Sequence, residues 1–210
     1  MDLRNAGSIR LMPKVTGLYK AEVREKIIQA AIQSFSQTGY DRTKMEDVAK
    51  RLGLSKGTIY LYFASKEDLF LGICEYYLKV MKDRQHTTVF SKREDFLLDA
   101  EKFYDEFQKL EQGNDRVMLE MVVESSRNHR LRKGMYEHRL KVYDAVVEHL
   151  NKHVEKGIIR NDVDTGGLAS AFVALYDGLT ASKMLGMSEA NNKKAWIAMV
   201  RAVIDGITKT

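Results

Sequence analysis

Apolar residues recur along this chain at intervals of three and four, and nowhere do they alternate for long enough to predict a sheet. Ile27, Ile28, Ala31 and Phe35 give a first helix one apolar face. Val48, Ala49 and Leu52 give a second, and Ile59 with Phe63 a third, with Gly53 between them where a left-handed residue ends a helix without a Cβ clash. A longer helix is predicted from Lys66 to about Gln85, then a segment opening at Ser91 with Phe96, Leu97, Phe103 and Phe107, then another from Asn114 through Val117, Met118, Met121 and Val122. The longest, about Leu131 to Lys156, carries Tyr136, Leu140, Tyr143, Val147, Leu150 and Val154 as a stripe predicted to face the core, and Gly157 stops it. Helices from Gly166 to Leu185 and from about Asn191 to Ile207 close the chain. The expected fold class is all-α, a small three-helix unit followed by a larger helical bundle.

The stretch Thr43 to Lys66, TKMEDVAKRLGLSKGTIYLYFASK, has the layout of a helix-turn-helix. Thr43 and Glu46 stand three apart as a capping box, and Ser55 is the natural cap of the next helix. That helix turns Ile59 and Phe63 inward and leaves Lys56, Thr58, Tyr60 and Tyr62 outward. Ser65 and Asp68 cap a further helix at Lys66, so its amide-rich end lies beside the outward residues, where a phosphate could sit. Exposed aromatics beside an exposed Lys suit a merely solvated face poorly, whereas Lys, Thr, Ser and Tyr are donors that phosphates use. The pattern points to DNA binding rather than to a helical hairpin without function.

On these residues the chain resembles a known family. From Val23 to Met81 it is similar to the N-terminal DNA-binding domain of the TetR family of bacterial and archaeal repressors: the amphipathic first helix, the Gly39-Tyr40 turn, Thr43, then GLSKGTIYLYFASKEDLF. Past residue 81 the likeness is one of length and helical layout. The resemblance implies that Thr43 and Lys66 clamp phosphates, that Tyr62 touches the DNA backbone, and that Lys56, Gly57, Thr58 and Tyr60 face the major groove. Lys44 and Ser55 complete the candidate DNA-binding set.

Charge points the same way. Residues 1–66 hold twelve Lys or Arg against six Asp or Glu, and residues 67–210 hold 22 against 23. A positive surplus confined to the first third suits an electrostatic footprint on DNA, with a neutral second part doing something else. Three segments follow: a flexible basic arm over 1–20, the helix-turn-helix domain over 21–66, and a ligand-binding and dimerisation domain over 67–210. The arm carries Arg4, Arg10, Lys14 and Lys20 and the sole proline, Pro13; Met12 is an alternative start. No run approaches the roughly eighteen apolar residues of a membrane span, and Met1-Asp2 begins no signal peptide, so a cytoplasmic protein is expected. The single cysteine, Cys74, has no partner for an internal disulfide and is expected to be a buried thiol.

In the second part Phe96, Phe103, Phe107, Met118, Met121, Val122, Met135, Tyr136 and Tyr143 are candidates to line an apolar ligand cavity, although the same residues suit an ordinary helical core. Phe172, Leu175, Leu179, Trp196, Val200 and Val203, on the last two helices, are candidates for a four-helix contact between two copies, because one short recognition helix reads too few bases alone. His149 and His153 lie one turn apart with His138 on nearly the same face, but without a tight third ligand no metal site is assigned. There is no Walker loop, Gly-x-Ser-x-Gly elbow or HExxH, so neither an enzyme nor a cofactor is expected. The resulting expectation is a homodimeric repressor released from a double-stranded palindromic operator by a small hydrophobic effector. The alternative is a ligand-independent dimeric DNA-binding protein whose second part is only a scaffold.

Overall fold

The computed structural model of the chain describes residues 17–87, 92–110 and 115–208, the side chains of 85–87, 93, 107 and 110 excepted. Among them the order is α1 (Gly17–Thr38), α2 (Met45–Arg51), α3 (Lys56–Tyr62), α4 (Lys66–Thr87), α5 (Arg93–Leu110), α6 (Asp115–Ser125), α7 (His129–Glu155), α8 (Thr165–Met184) and α9 (Glu189–Ile207). No strand forms among the described residues; Ile159 and Thr208 make an isolated bridge that ties the end of α9 to the loop after α7. Most of the expected basic arm lies outside the described residues. Its last four, 17–20, are the first turn of α1 instead of irregular chain.

Two cores organise the helices. The first gathers Ile27, Phe35, Val48, Ile59, Phe63 and Phe70 from α1 to α4, and it continues into Val117 and Met121 of α6 and Leu131 of α7. The small three-helix head therefore shares its core with the bundle across the expected boundary at 66/67. The second core joins Phe96 and Tyr104 of α5, Leu150 of α7, Leu179 of α8, and Trp196, Val200 and Ile204 of α9.

Local signals account for most helix ends. The Ser55 hydroxyl accepts the Thr58 N–H at 3.1 Å, and the Ser65 hydroxyl accepts the Asp68 N–H at 3.1 Å. Gly53 has φ +65°, which an L side chain rarely adopts, and it turns the chain from α2 into α3. Thr43 corrects the expected capping box. Helix α2 begins at Met45, Lys44 is its cap residue, and the Asp47 carboxylate accepts the Lys44 N–H at 3.1 Å. Thr43 is buried one residue too early to cap, held by the packing of α1 against the turn.

Helix α7 corrects another expectation. Of the predicted stripe Leu150 is buried as expected but Tyr136 and Leu140 are exposed, and His138, Val142, Val146 and His149 turn inward around a cavity. Histidines on the inward face read as polar in a hydropathy pattern, which rotates the apparent stripe. Close helix approach also depends on Gly72 of α4, where a Cβ would stand 2.7 Å from the buried Phe63 ring.

Candidate nucleic-acid interface and internal cavity

Helix α3 is held by Ile59, which is fully buried, and by the Ser55 cap. Lys56, Gly57 and Tyr60 are exposed, while Thr58 and Tyr62 are half-buried. The Thr58 hydroxyl lies 2.8 Å from the Ser55 hydroxyl, so these two side chains engage each other at the start of the helix. Lys56 Nζ lies 2.5 Å from Glu46 Oε1. The hydrogen bond to Lys56 pulls the Glu46 carboxyl below its ordinary value, and the same bond raises Lys56. Both groups are on the surface, so an incoming phosphate or base edge competes with a screened ion pair. Lys44 is exposed at the start of α2.

Two expected phosphate clamps are engaged inside the protein. The Thr43 hydroxyl sits 2.8 Å from the Gly39 carbonyl and 2.6 Å from the Thr38 hydroxyl, in a residue only 2% exposed. Lys66 Nζ donates to the carbonyls of Tyr40 (2.8 Å), Asp41 (3.3 Å) and Thr43 (3.2 Å) and lies 4.1 Å from the centre of the Tyr40 ring. An ammonium has three donors, and all three have acceptors here. Burial lowers the Lys66 pKa despite nearby Asp41 and Glu67. Lys66 thus fastens the α1–α2 turn to the start of α4 instead of presenting its charge outward.

The same turn reaches the bundle. Gly39 has φ +81°, the Tyr40 N–H donates to Glu120 Oε2 at 2.9 Å, and Glu120 Oε1 accepts from Arg116 at 2.6 Å. Arg130 of α7 donates to both Asp68 oxygens, at 2.7 and 3.0 Å. Sequence reasoning missed these ties, because nothing local pairs a turn with a glutamate eighty residues away.

A cavity of about 240 Å³ lies inside the bundle, bounded by α4, α5, α7, α8 and α9, with Met118 from α6. Of the expected ligand residues, Phe96, Phe103 and Met118 line it. The Phe107 side chain lies outside the described residues. Met121 is buried in the first core and Met135 packs against it. Val122 and Tyr136 point to solvent, and Tyr143 is half-buried away from the cavity. The cavity is instead completed by residues expected elsewhere: Phe172, Trp196 and Val200, three of the dimer candidates, line it. Leu179 is buried in the second core, Leu175 packs against that core, and Val203 is half-buried. A helix apolar on several sides does not reveal which side meets its own chain.

The charged lining is paired. Arg84 reaches Asp99 at 2.6 Å and Glu106 at 2.7 Å, and Arg139 reaches Asp177 at 2.8 Å. Trp196 Nε1 donates to the Ala100 carbonyl at 2.9 Å, and its ring stacks on Phe103 with centroids 5.8 Å apart. Burial pulls His138 and His149 down to about 4, helped by Arg139 for the first and by His153 for the second. Among the described residues no cluster of three His, Cys, Asp or Glu is placed to hold a metal ion.

Residues 27–73 match the family model described as bacterial regulatory proteins, tetR family, and residues 100–209 match the one described as BetI-type transcriptional repressor, C-terminal. The chain is 28% identical over 178 residues to an uncharacterized HTH-type transcriptional regulator, YfiR, of Bacillus subtilis (strain 168), covering 80% of this chain and 83% of that protein. It superposes on a TetR-family transcriptional regulator from Cytophaga hutchinsonii with a TM-score of 0.71 at 22% identity, covering 91% and 97% of the two chains. A regulator from Saccharomonospora viridis, solved in complex with choline, matches with a TM-score of 0.64 at 25% identity, covering 90% and 100%.

Proposed function

We propose that this chain, which belongs to the TetR family of bacterial regulatory proteins and is a DNA-binding transcriptional regulator, acts as a homodimeric repressor that a small hydrophobic effector releases from a palindromic operator. One observation carries the effector part. Helix α4 belongs to both working regions: Lys66 fastens its first turn to the DNA-reading head, and Tyr77, Leu78, Met81 and Arg84 of its later turns line the cavity. A molecule that favours a displaced α4 also favours a displaced pair of α3 helices, and DNA affinity falls by linkage. Matching α3 to successive major grooves needs a spacing of about 34–36 Å between two copies, so a small tilt of α4 suffices.

The dimer contact we assign to the outer faces of α8 and α9. Gly167, Ala171, Ala174 and Gly178 on one, and Ala195, Ala198, Ala202 and Gly206 on the other, are exposed small residues at helical spacing. Such faces let four helices approach closely about a twofold axis. The cavity favours a sensor over a ligand-independent scaffold, whose core needs no enclosed space. Among the described residues no helix is long and apolar enough to cross a membrane, which suits action on DNA in the cytoplasm.

Native mass spectrometry of the gently purified protein tests this reading. The expected spectrum is a dimer with a co-purified small apolar mass, and adding the extracted molecule to a protein–DNA complex frees the DNA. A monomer, or a dimer whose DNA binding responds to nothing extracted from it, contradicts the reading.

A further inference from the structure

We propose that Leu61 of α3 selects a thymine in each half-site by packing on its 5-methyl group; this rests on α3 being the helix that enters the major groove. A single exposed leucine is ordinary on a protein surface, and the place of this one is what sets it apart. At about 100° per residue, Leu61 stands about 200° round α3 from the fully buried Ile59, so it points almost directly away from the core of the head. It is 84% exposed, against 39% for Tyr60. Gly57 lies one turn earlier on the same outer line. A Cβ built there meets only Ser55 Oγ, at 3.8 Å, so the room that glycine leaves faces outward, toward whatever the helix approaches.

The outermost line of α3, Gly57 and Leu61, therefore carries no side-chain hydrogen-bonding group. Donors flank it, Lys56 and Tyr60 on one side and Thr58 and Tyr62 on the other. Along its line of closest approach the helix reads by apolar contact. In the major groove the thymine methyl is the apolar group that a base pair presents, whereas guanine and adenine show acceptors, and cytosine and adenine show amino donors. Leucine set over one of those leaves a polar edge without water or partner, so the same side chain rewards thymine and penalises the other bases. The other apolar groups on this surface are less free. The Thr58 hydroxyl is engaged with Ser55 at 2.8 Å in a half-buried residue, and the Tyr60 ring has the Lys56 ammonium 6.0 Å from its centre.

The probe is the duplex that the full-length protein enriches most from a random-sequence pool, remade with deoxyuridine in place of one thymidine at a time in both halves. Uracil keeps the pairing and the O4 acceptor and lacks only the methyl. Fluorescence anisotropy is expected to show binding weakened about fourfold per half-site at one thymine. Leu61→Ala is expected to bind the thymine and uracil forms of that position equally, and Thr58→Ser to keep the preference. No uracil effect at any position, a preference that survives in Leu61→Ala, or one lost in Thr58→Ser overturns the proposal. Leu61→Glu separates it from the reading beneath it, since a carboxylate at this point is expected to abolish binding without disturbing so exposed a site. If Leu61→Glu binds the probe as the parent does, or if the pool yields no enriched duplex, α3 is not the reading helix and both fall. If Leu61→Glu fails to bind while the parent ignores uracil, α3 still meets the DNA and the thymine assignment alone falls.

Discussion

The Glu120 carboxylate of α6 accepts the main-chain N–H of Tyr40 at 2.9 Å, joining the bundle to the turn that precedes the DNA-reading helices. Met118, two residues earlier on the same helix, lines the cavity. Helix α6 is thus a second route, beside α4, by which the cavity touches the head. Glu120→Ala removes a charged acceptor that is part-buried, and a loss of about 1–2 kcal/mol in urea unfolding is expected. The same variant is expected to need more effector to release DNA, measured by fluorescence anisotropy; unchanged stability and unchanged release sink the assignment.

Lys66 is predicted to act on DNA through the turn it fastens. Lys66→Met strands three carbonyls and is expected to lower stability by about 2 kcal/mol. DNA affinity falls too, but the slope of log affinity against log salt stays as in the parent protein. A direct phosphate contact instead lowers that slope by about one, so a flattened slope restores Lys66 to the phosphate-clamping role.

Residues on α3 are predicted to divide by role. Lys56→Ala and Thr58→Ala are expected to change which sequence is preferred, by about 1–3 kcal/mol at the affected position. Tyr62→Phe is expected to weaken binding to all sequences alike. Competition binding with an operator variant set reads the difference, and uniform behaviour across these variants refutes the division.

Stability is predicted to fall as the solution is acidified through the histidine range. His138 and His149 titrate near 4 in the folded chain against an ordinary 6.5, so between those values the unfolded state binds more protons. Their contribution is fully present above 6.5 and lost as pH falls toward 4. Groups facing them include Arg139, Lys141 and Glu75 for the first, and His153, Lys152, Arg84 and Lys156 for the second. Urea midpoints are expected to drop between about pH 7 and pH 4.5, and His138→Gln with His149→Gln to flatten that drop; an equal drop in the double variant contradicts the cause.

Much of this was legible because it is local. Ser55, Ser65 and Gly53 sit where short-range rules require them, and α3 exposes Lys56 and Tyr60 as its spacing predicts. Thr43 misled because its spacing to Glu46 satisfies a capping rule that takes no account of the packing of α1 over that turn. Trp196 misled for another reason: an apolar residue on a helix flanked by two surfaces carries no sign of which surface it meets. Ala171 and Ala174 of α8 are exposed, although in the sequence they only add to a helix that is apolar on more than one side.

Selection of random genomic fragments by the purified protein, followed by sequencing of those retained, tests most directly whether two copies of α3 read one site. A single enriched inverted repeat is expected, with half-sites centred about one helical turn apart or a multiple of it, lost when Lys56 and Tyr60 are both changed to Ala. No enriched sequence, or a solitary half-site held equally well by the doubly substituted protein, contradicts it.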